Sequence, residues 1–418
     1  MSKTLKAIIL SVSFALVALT IAGGLGVKAS TNNDGAYRQL GVYSEVLSRI
    51  RSEYVEEPNI PNVTAGALHG LLESLDANSS YLDPQEYKAY KAQKADGKAD
   101  IGAAISKRFG YAAVISVVPG GPADKAGLDT GDIMEAVEGK STREMSLAEI
   151  DSALQGQVGS NVSVSIVRAR RAEPSKVVIT RDRVQVPPVS TEVIEGDIGY
   201  LKVDAFPKGK SQEIASKIKN LQKSGVKKLV LDLRDAALGE ESEGVATANL
   251  FLNHGTIAYL QGQKFPRENF NADPSKAITT LPVVVLVNRG TAGPAEIVAS
   301  AVLENARGDV LGDKTFGVGS IQKVIELPDG SALMLSVAKY YSPRGKAIQD
   351  TAVTPNILVA DNDDDFILPD EDQDSNTNEP LKKEPRKGPD QQLNRAIQVL
   401  KNNAQRADAG NAAAATAK

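Results

Sequence analysis

The chain has 418 residues, 42% of them hydrophobic and 24% charged, with 48 basic against 52 acidic side chains and a net charge of -4. That length exceeds the ~250–300 residues at which single cores stop growing, so two or three domains are expected. Without a basic excess nothing holds nucleic acid, and the absence of cysteine excludes a thiol nucleophile, a disulfide framework and a cysteine-rich zinc site.

Residues 1–29 read as a targeting segment. Lys3 and Lys6 precede an almost uncharged stretch from Ala7 to Val27, and Val27-Lys28-Ala29 has the form of a small-residue cleavage site. A cleaved signal peptide and a retained single membrane anchor both fit. Either places the remainder in the periplasm or on the extracytoplasmic face of a membrane.

Residues 36–93 read as helices. Leu40, Tyr43, Val46, Leu47 and Ile50 have the spacing of one apolar helix face, and Leu68, Leu71 and Leu72 repeat it. The first face needs cover, either from another copy or from the chain's own core. A turn-rich stretch, Ser74–Pro84, leads to a short helix at Gln85–Lys91 and a linker. Residues 99–183 change to short strands at Ala112–Val118, Ile133–Val137 and Asn161–Val167, with glycine-rich turns between them and a helix at Leu147–Leu154. This pattern predicts a small β-barrel with capping helices.

From 184 to 360 strands alternate with helices: Tyr200–Phe206, Gln212–Lys223, Lys228–Leu233, Glu243–Leu252, Pro282–Val287 and Ala295–Ala306. Continuous apolar strands between helices predict a parallel sheet covered on both faces, with chemistry at the strands' carboxyl ends. The loops after Leu233 and Val287 therefore matter most. Residues 361–388 are acidic and charged. Asp361, Asp363 and Asp365 have a calcium-loop rhythm, but Phe366 stands where that loop needs glycine, so a solvated linker is expected. Residues 389–418 hold a helix at Gln391–Asn402 and an alanine-rich tail. The two histidines, His69 and His254, read as ordinary surface or helix residues, and no metal or cofactor site is expected.

Several ordered motifs now add up. They are Ser74-Leu75-Asp76 with Ser79-Ser80-Tyr81-Leu82; Gly121-Pro122-Ala123 with Ala126-Gly127-Leu128 and Gly131-Asp132-Ile133; Leu231-Asp232-Leu233-Arg234; Asn288 to Ile297; Gly312 to Gln322; and Tyr340-Tyr341-Ser342-Pro343 with Ile348-Gln349 and Thr354-Pro355. Over residues 36–358 the chain resembles the carboxyl-terminal processing, or tail-specific, serine peptidases. The resemblance implies a multidomain α/β protein with an N-terminal helical segment, a PDZ β-barrel and a crotonase-like α/β core. It also implies a serine nucleophile, a lysine general base whose pKa burial lowers, and a glutamine that orients the lysine. A PDZ domain captures chain ends by adding a strand and cradling the terminal carboxylate.

Departures fall on the chemistry. The position implied for the serine is Gly293, and the position implied for the lysine is Val318. Glycine has no nucleophile and valine carries no proton. Only Gln322, the orienting position, remains. In the implied oxyanion loop Leu238 precedes Gly239 where the family carries a glycine pair, and a leucine forced into a glycine conformation would be strained. Thr291, Ser300, Thr315 and Ser320 are the nearby hydroxyls for a relocated nucleophile, Thr291 and Ser320 the two that a probe would label, and Lys314 lies four residues before Val318. The implied peptide groove lies between Ile101, Gly102, Ala103, Ala104 and Ile105 on one side and Leu147 and Ile150 on the other. Asp100 is an awkward neighbour there for a carboxylate.

Three readings follow. One is a non-catalytic member that binds protein C-termini or unfolded clients, pairs with an active paralogous protease, or self-associates. Another is an active endopeptidase, cutting near C-termini, with a relocated nucleophile. The last is a scaffold with neither property.

Overall fold

Strands that are buried on both sides must present apolar residues to both, and Val283-Val284-Val285-Leu286-Val287 does so in five consecutive positions. In the computed structural model, which describes residues 34–94, 99–108, 110–168, 173–349, 351–360 and 388–402, this run is the centre of a six-stranded sheet. The targeting segment, most of the acidic linker and the alanine-rich tail lie outside the described residues.

The chain forms two compact units, one reaching Ala67 and one starting at Leu68. The first holds α1 (Asp34–Glu53) and the start of α2 (Ile60–Glu73). On α1 the apolar face read from the sequence is largely open: Leu40 is 60% exposed and Val46 50%.

The second unit continues with β1 (Ser80–Leu82) and α3 (Pro84–Lys94). A barrel-like sheet follows, in the order β2 (Ala103–Arg108), β3 (Tyr111–Val117), β4 (Ile133–Val137), β6 (Asn161–Val167), β7 (Ser175–Thr180), with β5 (Lys140–Ser141) paired to β4. Two helices cap it, α4 (Pro122–Lys125) and α5 (Leu147–Leu154). Ser146 and Glu149 close the start of α5 as a capping box, each bonding the other's backbone N–H. Its core holds Leu128, Met134, Ile150, Val162, Ile166 and Ile179. The strands predicted at 112–118, 133–137 and 161–167 and the helix at 147–154 are thus present to within a residue.

The α/β part is built on β8 (Ser190–Ile194), β9 (Ile198–Lys202), β10 (Lys228–Asp232), β13 (Val283–Val287), β14 (Asp309–Gly312) and β17 (Ile357–Leu358). β9, β10, β13, β14 and β17 run parallel, and β8 pairs antiparallel to β9. Alternation divides the sheet's residues between two cores. Leu229, Leu231, Val283, Val285 and Val287 face α6 (Lys210–Lys223), α7 (Glu241–Phe251) and α8 (Pro294–Glu304). Val230, Val284, Leu286 and Leu311 face α9 (391–402) through Ala396, Val399 and Leu400. Each such side chain contributes roughly 1.5–3 kcal/mol.

A second sheet, of β11 (Thr256–Gln261), β12 (Glu268–Asn271), β15 (Ser320–Glu326), β16 (Ala332–Tyr341) and β1, flanks this core. The sequence reading missed β15. Its residues are half-buried or exposed throughout, so no alternation marks it.

Candidate functional site

Three loops leave the carboxyl ends of neighbouring parallel strands: 233–240 after β10, 288–293 after β13 and 313–319 after β14. Such crevices are where open α/β sheets place their chemistry. The implied dyad positions sit on the second and third loops.

Gly293 is the turn from loop to helix, with φ 56° and ψ -118°. This is the left-handed region that glycine enters without penalty. A Cβ built there would meet only the Ala237 carbonyl oxygen, at 3.6 Å. The backbone therefore keeps a sharp elbow with space for a side chain, while the sequence supplies none.

Glu296 fastens this elbow to the third loop. It is fully buried at the third position of α8. Its Oε2 accepts the Gly293 N–H at 3.0 Å and the Val318 N–H at 2.8 Å. Its Oε1 accepts the Gly317 N–H at 2.9 Å and the Thr315 hydroxyl. Burial pushes this carboxyl up to about 7, against the pull of those four donors. Sequence reasoning gave Glu296 no role. The available signal was a glutamate three residues after a helix-starting glycine, the reach-back position of a capping box.

The structure thus brings Gly293 and Val318 together, but between them lie a backbone hub and hydrocarbon. Val318, Leu238, Ala237 and Phe316 pack with buried Ala292, Ala104 and Ile115 in one apolar cluster. Ala104 and Ile115 belong to β2 and β3, so the barrel domain covers the site. Two polar details set that approach. Thr130 Oγ1 donates to Asp235 Oδ1 at 3.1 Å, and a Cβ on Gly290 would lie 3.0 Å from the Ile115 carbonyl oxygen.

The strain expected at Leu238 is absent: Leu238 is not among the residues with positive φ. The unusual conformations sit beside it, at Asp235 (φ 59°) and Gly239 (φ 133°). A side chain on Gly239 would strike the Phe206 carbonyl at 2.3 Å. The loop is held by Phe206 N–H to the Leu238 carbonyl at 2.7 Å and Ala292 N–H to the Ala236 carbonyl at 3.0 Å.

The substitute hydroxyls are committed elsewhere. Thr291 is fully buried, donates to the Leu233 carbonyl at 2.8 Å and accepts the Asn288 N–H at 3.0 Å. Ser320 Oγ accepts from Gln322 Nε2 at 2.8 Å and from Asn78 Nδ2 at 3.0 Å. Gln322, at the position implied for the orienting glutamine, therefore turns to Ser320. Lys314 is exposed.

In the groove, β2 is an edge strand and α5 lies alongside it. Of the lining residues named from the sequence, Ile101 and Ile150 are fully buried in the barrel core, where Ala103 and Ile105 pack against them. Ala104 faces the other way, into the Leu238–Val318 cluster. Leu147 is 9% exposed. Asp100 Oδ1 accepts the Ile101 N–H at 2.5 Å and the Gly102 N–H at 3.3 Å. Those are the donors that a carboxylate-binding loop would offer to a ligand. Burial raises the Asp100 carboxyl, and the two N–H groups pull it back.

Comparison with known proteins agrees with this architecture. Residues 197–359 match the model of peptidase family S41, and residues 114–168 match that of a PDZ domain. A carboxy-terminal-processing protease of Bartonella bacilliformis is 32% identical over 339 residues, spanning 79% of this chain and 77% of that one. The carboxy-terminal processing protease CtpA of Bacillus subtilis is 30% identical over 335 residues, spanning 80% and 71%. The solved photosystem II D1 C-terminal processing protease superposes with a TM-score of 0.63 at 28% identity, covering 76% of this chain and 86% of that one. The chain belongs to peptidase family S41, among the carboxyl-terminal processing proteases, with a PDZ domain ahead of the α/β core.

Proposed function

We propose that this is a non-catalytic, exported member of the family that holds protein chains without cutting them. One observation carries the reading: the two positions that would bear a nucleophile and its base, Gly293 and Val318, offer only backbone N–H groups, both to Glu296. The apolar packing of Val318 and Leu238 against the PDZ domain supports it, since neither side chain can move a proton or place one. Export rests on Lys3, Lys6 and the apolar stretch after them.

Binding falls to the open edge of β2, which can accept an extended segment as an added strand. Because Asp100 occupies the Ile101 and Gly102 donors, the groove favours internal or unfolded segments over a free terminal carboxylate. The partners are unfolded protein clients, an active paralogous protease, or a second copy through α1. Purified protein incubated with an unfolded substrate should retain it on a column and release it uncut. New termini in the substrate, persisting after stringent removal of host proteases, would sink the proposal.

A further inference from the structure

Away from the cleft, three potential metal ligands converge from three elements. His69 comes from α2, Glu86 from α3 and Glu149 from α5 of the PDZ domain. One donor atom from each lies within 4.8 Å of the others, and no other such grouping of three occurs among the described residues. All three are half-buried, with side-chain exposures of 21%, 25% and 10%. His69 Nε2 stands 3.8 Å from Glu86 Oε2.

Each group is held in place from behind. Glu86 Oε2 accepts the Asp83 N–H at 2.8 Å, and Glu149 Oε2 accepts the Ser146 N–H at 2.7 Å. The His69 ring meets Tyr81 edge-on at 5.5 Å, which fixes its plane. Helix capping explains where each glutamate starts. It does not explain why two carboxylates point at one another in a half-buried space beside an imidazole. Lys140 reaches Glu149 Oε1 from the rim, at 3.0 Å, on a half-exposed chain.

We propose that His69, Glu86 and Glu149 form a site for a divalent cation of the zinc type, with water in the fourth position. One imidazole nitrogen and two carboxylate oxygens suit Zn²⁺, whereas Ca²⁺ takes six to eight oxygens. Zinc bonds of about 2.0–2.2 Å place tetrahedral ligands closer together than the present spread, so binding draws the three side chains inward. The site is structural. It ties α5, and with it the PDZ domain over the Leu238–Val318 cluster, to α2 and α3. A domain fixed this way would hold its cover in place, and removing the metal would loosen it.

The test uses the full chain, stripped with a chelator and titrated with Zn²⁺ alone by calorimetry. Co²⁺ titration, followed by visible absorbance, reports the geometry. The expected result is one Zn²⁺ per chain, an intense tetrahedral-type Co²⁺ spectrum and a higher Tm with metal. His69→Ala and Glu149→Gln should each lose all three, while His254→Ala, at the only other histidine, should keep them. Glu149→Gln preserves the helix cap, so its loss of binding cannot be ascribed to misfolding. No saturable uptake at micromolar free Zn²⁺, or uptake that survives in both His69→Ala and Glu149→Gln, would overturn the assignment.

Discussion

Gly293 and Val318, twenty-five residues apart in sequence, donate their backbone N–H groups to a single oxygen, Glu296 Oε2, at 3.0 and 2.8 Å. The elbow and the loop that would carry a nucleophile and a base are therefore still locked together. The lock is made of main chain and one buried carboxylate, so it does not depend on which side chains stand at positions 293 and 318.

Glu296→Gln tests the lock. An amide keeps one acceptor oxygen and turns an NH₂ toward two donors, and each buried group left unsatisfied costs about 1–3 kcal/mol. The native carboxyl adds a pH signature. Its folded pKa, about 7, lies above the ordinary 4.5, so the folded chain holds more protons across that window. Stability from this group alone then falls as pH rises from about 4.5 to about 7, by on the order of 3 kcal/mol. The variant should be less stable throughout, with a larger deficit at pH 5 than at pH 7 in urea denaturation. Equal deficits would contradict the assignment.

Arg234 anchors the C-terminal helix. Its guanidinium bonds buried Asp232 at 2.5 Å and Asp390 at 2.8 Å. Burial would raise the Asp232 carboxyl, but Lys202 and Arg234 hold it well below the usual range, and against its own burial Asp390 is lowered by its bond to Arg234. For these depressed groups the stabilisation is complete above the ordinary value of 3.8 and is lost as pH falls below it. Arg234→Met should cost roughly 3–5 kcal/mol, because it strands a buried charge. Asp390→Asn should cost less and expose the helix at 391–402 to proteolysis first.

Asp100→Ala should open the PDZ groove to free C-termini. It releases the Ile101 and Gly102 N–H groups and removes a like charge. A gain of about 1.4 kcal/mol, tenfold in Kd, is the expected scale for a peptide with a free carboxylate. A peptide with an amidated end should gain far less. Fluorescence anisotropy with the two peptides separates these outcomes.

The open apolar face of α1 predicts self-association. Leu40 and Val46 are each at least half exposed, which is unfavourable in water unless another surface covers them. Sedimentation should give a mass above one chain for the native protein and a lower mass for Leu40→Asp with Val46→Asp. A monomer in both would remove self-association from the account.

Much of this was legible from pattern. The run Val283–Val287 announced a strand buried on both faces because nothing in it is polar, and the spacing between motifs announced that positions 293 and 318 meet. What stayed hidden depends on neighbours distant in sequence. Leu238 looked strained, but the positive φ angles fall on Asp235 and Gly239, and the close approach of Phe206 explains why Gly239 is glycine. Glu296 looked like a helix residue, since its four donors come from two separate loops. His69 looked ordinary because its carboxylate neighbours lie on other helices.

The most direct measurement treats the purified protein with a fluorophosphonate probe beside Gly293→Ser with Val318→Lys. A serine at this left-handed position costs about 1–3 kcal/mol, and there is space for its side chain. The account predicts no labelling of the native protein and labelling of the double variant at residue 293. Labelling of the native protein, at Thr291, Ser320 or elsewhere, would contradict it.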